Sequence, residues 1–113
     1  MSRNQEALID IIEAIKLITQ YTEGVGPVTL AANVEKQDAI LRRITIIGEA
    51  TKRLTKEFRD QHTSIPWKEI AGMRDVITHD YDEVDLEEIW TVICENLPTL
   101  LAYIEPLLIS DKS

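Results

Sequence analysis

The feature that most constrains this chain is a row of residues, Ile40, Ile44, Ile47, Thr51, Leu54 and Phe58, spaced four, three, four, three and four apart. Such spacing keeps to one face of an α-helix and is close to a heptad, whereas a strand needs alternation at every second residue. It predicts a long helix over residues 34–60, capped by Asn33, whose apolar row packs inside the molecule or against a second copy. Gly48 lies within this helix at a cost of roughly 1 kcal/mol relative to alanine, so a close approach by another helix is expected there.

The rest of the chain organises around that element. Leu8, Ile11, Ile12, Ile15 and Ile18 make an apolar stripe over residues 3–23, opposite Glu6, Asp10, Glu13 and Lys16. Gly24, Gly26 and Pro27 end it, and 24–33 reads as a loop. Ile65-Pro66-Trp67 opens a short helix, with Pro66 suited to its first turn, and residues 73–81 continue as helix beyond Gly72. Asp85, with Glu88 three residues on, has the form of a capping box for a last helix. That helix carries Leu86, Ile89, Trp90, Ile93, Leu97, Leu100, Leu101 and Ile104 on its buried stripe, and Pro98 should kink or split it. With 113 residues, 44% of them hydrophobic, and only four glycines and four prolines, residues 1–113 read as a single all-α domain, a bundle of four to five helices.

Bulk properties narrow the function. No apolar run is long enough to span a bilayer, so no membrane association is expected. The stretch Met1-Ser2-Arg3-Asn4-Gln5-Glu6 lacks a signal-peptide pattern. Cys94 is the single cysteine, which precludes an internal disulfide or a cysteine zinc site; it reads as a small apolar residue on a buried helix face. A cytoplasmic setting is expected. The net charge of −8 argues against a protein that coats nucleic acid, but it allows RNA at one local basic pocket or a basic protein partner.

A helical bundle rich in carboxylates invites comparison with di-metal sites, which need Glu-x-x-His pairs on facing helices. The residues three before His79 and His62 are Val76 and Arg59, so no metal and no cofactor are expected. Phosphate-cradling loops, dinucleotide fingerprints and nucleophile elbows are absent from the sequence. His62, within Arg59-Asp60-Gln61-His62-Thr63-Ser64, reads as a solvated helix terminus.

What remains is Arg74-x-x-x-x-His79-x-Tyr81. Cleaving a phosphodiester without a metal needs a group that moves protons and a cation that holds phosphate as negative charge builds on it. Histidine, titrating near neutrality, suits the first task, and the planar guanidinium of arginine the second. An isolated Arg, His and Tyr on a surface helix is commonplace, and Val76 and Ile77 suit an ordinary packed helix end. On a regular helix a spacing of five turns the two side chains apart by roughly 140°. A two-fold dimer would bring two such helices to one cleft, with Tyr81 at its rim.

Context adds to the motif. Ile46-Ile47-Gly48-Glu49-Ala50, then Ile65-Pro66-Trp67-Lys68-Glu69-Ile70-Ala71-Gly72-Met73-Arg74, His79-Asp80-Tyr81 and Asp85-Leu86-Glu87-Glu88-Ile89-Trp90 together resemble the HepT-like branch of the HEPN superfamily. The likeness runs in order from about residue 37 to 101, and its most specific part is the Ile-Pro-Trp stretch leading into Arg-x-x-x-x-His-x-Tyr. It implies a helical homodimer that acts as a metal-independent endoribonuclease toxin at the dimer cleft. It further implies a type VII-like toxin–antitoxin system, paired with an MntA-type nucleotidyltransferase that uses ATP to silence the toxin by AMPylation. By position Arg74 and His79 would be catalytic and Tyr81 the modified residue. The family usually carries a polar residue, often Asn, directly after the arginine; Asp75 stands there, an auxiliary candidate that lacks amide donors. Glu49, on the seam side of the long helix, is a second auxiliary candidate, able to orient His79 or pair with an arginine across the interface. The alternative from another class is a non-catalytic HEPN interaction protein that partners a nucleotidyltransferase.

Overall fold

The computed structural model describes residues 2–78 and 84–112, with side chains through Leu108. Three long helices dominate it: α1 (Arg3–Tyr21), α3 (Val34–Arg53) and α8 (Leu97–Lys112). Short helices join them: α2 (Pro27–Ala31), α4 (Lys56–Gln61), α5 (Trp67–Ala71), α6 (Met73–Ile77) and α7 (Leu86–Thr91). The all-α class follows from the helical spacing, and no strand is present among the described residues.

Helices α1 and α3 pack antiparallel. Ser2 starts α1 with a reciprocal capping box to Gln5. At that end Arg3 Nε donates to the Arg53 carbonyl at 2.6 Å, and Arg53 pairs with Asp10. At the other end Lys36 Nζ donates to the Tyr21 carbonyl at 2.6 Å. Between them the stripe Leu8, Ile11, Ile15 and Ile18 meets Ile40, Ile44 and Ile47, all at most 1% exposed. Burying each such side chain contributes roughly 1.5–3 kcal/mol, so this seam is the main source of stability. Helix α8 lies against α1, with Ile104 buried and Lys16 reaching Glu105 at 3.4 Å.

Several sequence expectations are corrected by competing local bonds. The helix expected over 34–60 stops at Arg53; Leu54 is extended, and Thr55 caps a separate α4 by accepting from the Phe58 N–H at 3.1 Å. Thr55 also accepts from Asn4 Nδ2 at 3.2 Å and donates its N–H to Asn4 Oδ1 at 2.9 Å, so a tertiary partner holds the break. The loop expected over 24–33 contains α2, because Pro27 suits a first helical turn and Leu30 is buried. Gln37 then satisfies the end of α2, donating to the Leu30 carbonyl at 2.9 Å, while Asn33 caps α3 as expected.

Helix α6 ends at Ile77, with Thr78 extended, where helix was expected over 73–81; residues 79–81 lie outside the described residues. Thr78 forms an antiparallel bridge with Val84 and donates both its N–H and its hydroxyl to the Arg74 carbonyl, each at 2.9 Å. The interruption expected at Pro98 takes the form of a π turn over Val92–Asn96, after which Pro98 is the second residue of α8. The wider turn leads into a residue that lacks an N–H and whose ring would crowd an ordinary preceding turn. Cys94, within this turn, is exposed, not on a buried face.

Candidate active site

The motif arginine is placed by packing from below. Trp67, Ile70 and Met73, each 8% exposed or less, anchor α5 and α6 on α3. Gly48 makes that approach possible: a Cβ built on it would lie 3.0 Å from the Ala71 carbonyl oxygen. The expected close helix contact at Gly48 is therefore present, and α5 is what fills it. Trp67 is fixed further by its indole N–H, which donates to the His62 carbonyl at 3.1 Å, and by Phe58 at a centroid distance of 6.2 Å. His62 itself packs its ring on Phe58 at 4.6 Å, so its part is structural.

Arg74, the second residue of α6, is half-buried and lines an open groove of about 610 Å³. Asp38, Leu41, Arg42 and Thr45 of α3 form one wall, and Thr78 and Val84 complete it. Thr78 immediately precedes His79 in the chain, and its bridge to Val84, with the Asp85 N–H donating to the Ile77 carbonyl at 2.6 Å, pins the two sides of the motif segment together. Asp85 then starts α7 by accepting from the Glu88 N–H at 3.1 Å. His79 and Tyr81 lie outside the described residues.

Glu49 is exposed, off the buried row of α3, and neither it nor the exposed Asp75 lines the groove with Arg74. The residues that the motif does not point to are Asp38, Arg42 and Thr45. Their signal in the sequence is a polar row at spacings of four and three, flanking the apolar seam of the same helix. A separate trough of about 440 Å³ runs between α5–α6 and α8; Ile70, Met73, Val76, Leu100 and Tyr103 line it, with Glu69, Glu88 and Glu95. No helix among the described residues is long and apolar enough to cross a membrane.

Proteins similar to this chain in sequence carry ribonuclease names. A Methanocaldococcus jannaschii protein named as a gamma-glutamylcyclotransferase and candidate RNase is 44% identical over 90 residues, 80% of this chain. The chain spans only 40% of that longer relative. A protein named as a probable ribonuclease HepT from Thermococcus cleftensis is 36% identical over 104 residues, 92% of this chain and 94% of its own. A candidate RNase of Caldanaerobacter subterraneus is 35% identical over 102 residues, covering 90% and 91% of the two chains. No solved structure matches. Residues 11–107 match the Ribonuclease HepT-like family, and the chain belongs to that family, the HepT-like branch of the HEPN superfamily.

Proposed function

We propose that this protein is a metal-independent endoribonuclease toxin of the HepT/MntA type, acting in the cytoplasm at a cleft shared by two copies. The observation that carries the reading is the groove in which Arg74 meets the wall of α3, bounded by the residue that precedes His79. Membership of a ribonuclease-named family and the names of its relatives support it.

In this mechanism His79 takes the proton from the ribose 2′-hydroxyl as that oxygen attacks the adjacent phosphorus. The bond from phosphorus to the 5′-oxygen then breaks, and the leaving oxygen receives a proton from the same imidazole. The products are a 2′,3′-cyclic phosphate and a free 5′-hydroxyl. Arg74 holds the phosphate oxygens as charge accumulates on them, a role suited to its forked donors. Glu49, which does not line the groove of its own copy, takes its auxiliary role across the dimer interface. Asp75, directly after Arg74 in the chain, is the other auxiliary residue, and an MntA-type nucleotidyltransferase silences the enzyme by AMPylating Tyr81.

The test is RNA cleavage in EDTA by purified protein shown by intact mass to be unmodified. Arg74→Ala and His79→Ala should each lose most cleavage, by about a hundredfold or more, with helicity and melting nearly unchanged. Cleavage that survives His79→Ala overturns the mechanism. A wild-type protein that binds the nucleotidyltransferase yet cuts no RNA is instead a non-catalytic interaction partner.

A further inference from the structure

Arg42 is exposed on α3 and shares one groove with Arg74, although the two belong to different elements. Two other arginines have structural work: Arg3 bonds the Arg53 carbonyl, and Arg53 pairs with Asp10. None of the ion pairs among the described residues involves Arg42, even though Asp38 stands one turn before it on the same helix. An anion lying in this groove would meet the guanidinium of Arg42 as well as that of Arg74. Among the described residues that line it, the groove carries two cations, Arg42 and Arg74, and one carboxylate, Asp38, on a chain of net charge −8. Thr45 is on the same wall, but its hydroxyl donates to the Leu41 carbonyl at 2.9 Å, leaving Arg42 as the strong donor there.

We infer that Arg42 is an RNA-contact residue that grips a phosphate flanking the one held by Arg74, which rests on the ribonuclease reading above. A chain of phosphates has to continue past the reacting one, and the wall of α3 gives it a second cation on a rigid helix rather than on a loop. Because it holds a neighbouring phosphate, Arg42 contributes to binding and to register along the strand, and little to the chemical step. Its loss should therefore raise KM and leave kcat nearly unchanged.

The probe is a short, fluorescein-labelled single-stranded 2′-O-methyl RNA, which cannot form the cyclic phosphate, titrated with the full chain over a series of salt concentrations. Arg42→Ala should weaken binding about tenfold at low salt. The slope of log affinity against log salt should become shallower by about 0.7, as for one phosphate contact on a single strand. Arg42→Lys should keep the slope while recovering only part of the affinity, because it retains the charge and loses the fork. Lys52→Ala, an exposed cation of the same helix outside the groove, should behave as wild type. Melting curves of the variants should superimpose, since Arg42 is exposed.

Equal affinity and slope in Arg42→Ala, an equal loss in Lys52→Ala, or a wild-type protein that does not bind the probe would each overturn the inference. Cleavage of natural RNA by the same proteins separates the two claims. An active enzyme whose KM is unmoved by Arg42→Ala keeps the ribonuclease reading and loses the contact. Binding that depends on Arg42 without any cleavage keeps the contact and loses the ribonuclease.

Discussion

Gly48 shows how one missing side chain sets the site. Adding a Cβ brings it 3.0 Å from the Ala71 carbonyl oxygen, and that oxygen belongs to a short helix anchored by Trp67 and Ile70. Backbone yields less readily than the end of a flexible side chain. Gly48→Val adds a Cβ and two methyls at this contact and should lower stability by about 1–3 kcal/mol in urea titrations. Gly48→Ala should cost less, because its helix propensity gains roughly 1 kcal/mol against the same contact. At the same scale, Tyr81 is where modification is proposed. An AMP group there adds negative charge and bulk beside the motif, so modified protein should lose RNA cleavage. Tyr81→Phe should resist labelling when incubated with the nucleotidyltransferase, ATP and magnesium. Label mapped instead to Tyr21 or to Tyr103, which is 48% exposed, removes this assignment.

Among the elements, the division between α3 and α4 depends on a contact from the far end of the sequence. Thr55 caps α4, and Asn4 at the start of α1 bonds both the Thr55 hydroxyl and its N–H. Thr55→Ala should therefore cost about 1 kcal/mol from the lost cap. The double variant with Asn4→Ala should cost less than the two single losses added, by at least about 0.5 kcal/mol, since both remove one network. Strict additivity in a denaturation cycle would mean that the break is local to α4. The shortness of α6 matters as much. The helix ends at Ile77 and Thr78 is extended, so no regular helical turn leads on toward His79, which lies outside the described residues.

At the scale of the whole molecule, Val76 is 54% exposed at the edge of the trough between α5–α6 and α8, two residues after Arg74 in the chain. In the proposed two-fold dimer this valine is covered, and Val76→Asp places an unpaired carboxylate in the contact. The dimer should weaken at least tenfold by light scattering across a dilution series, with cleavage falling in parallel. A monomeric variant with full activity would leave each copy with a complete site of its own. The helical class, the α1 and α3 stripes, the caps at Asn33 and Asp85 and the close approach at Gly48 were all legible in the residues, because each depends on spacing or chemistry within a few positions. The end of α3 at Arg53, the end of α6 at Ile77, the exposure of Cys94 and the place of Arg42 on one groove with Arg74 were not. Asn4 lies fifty-one residues from the cap it completes, and Arg42 and Arg74 face one groove only because Gly48 lets α5 settle on α3. Local periodicity dictates which helices form and which face each one buries; where they stop and which polar residues they bring together is decided by bonds and packing between segments distant in sequence.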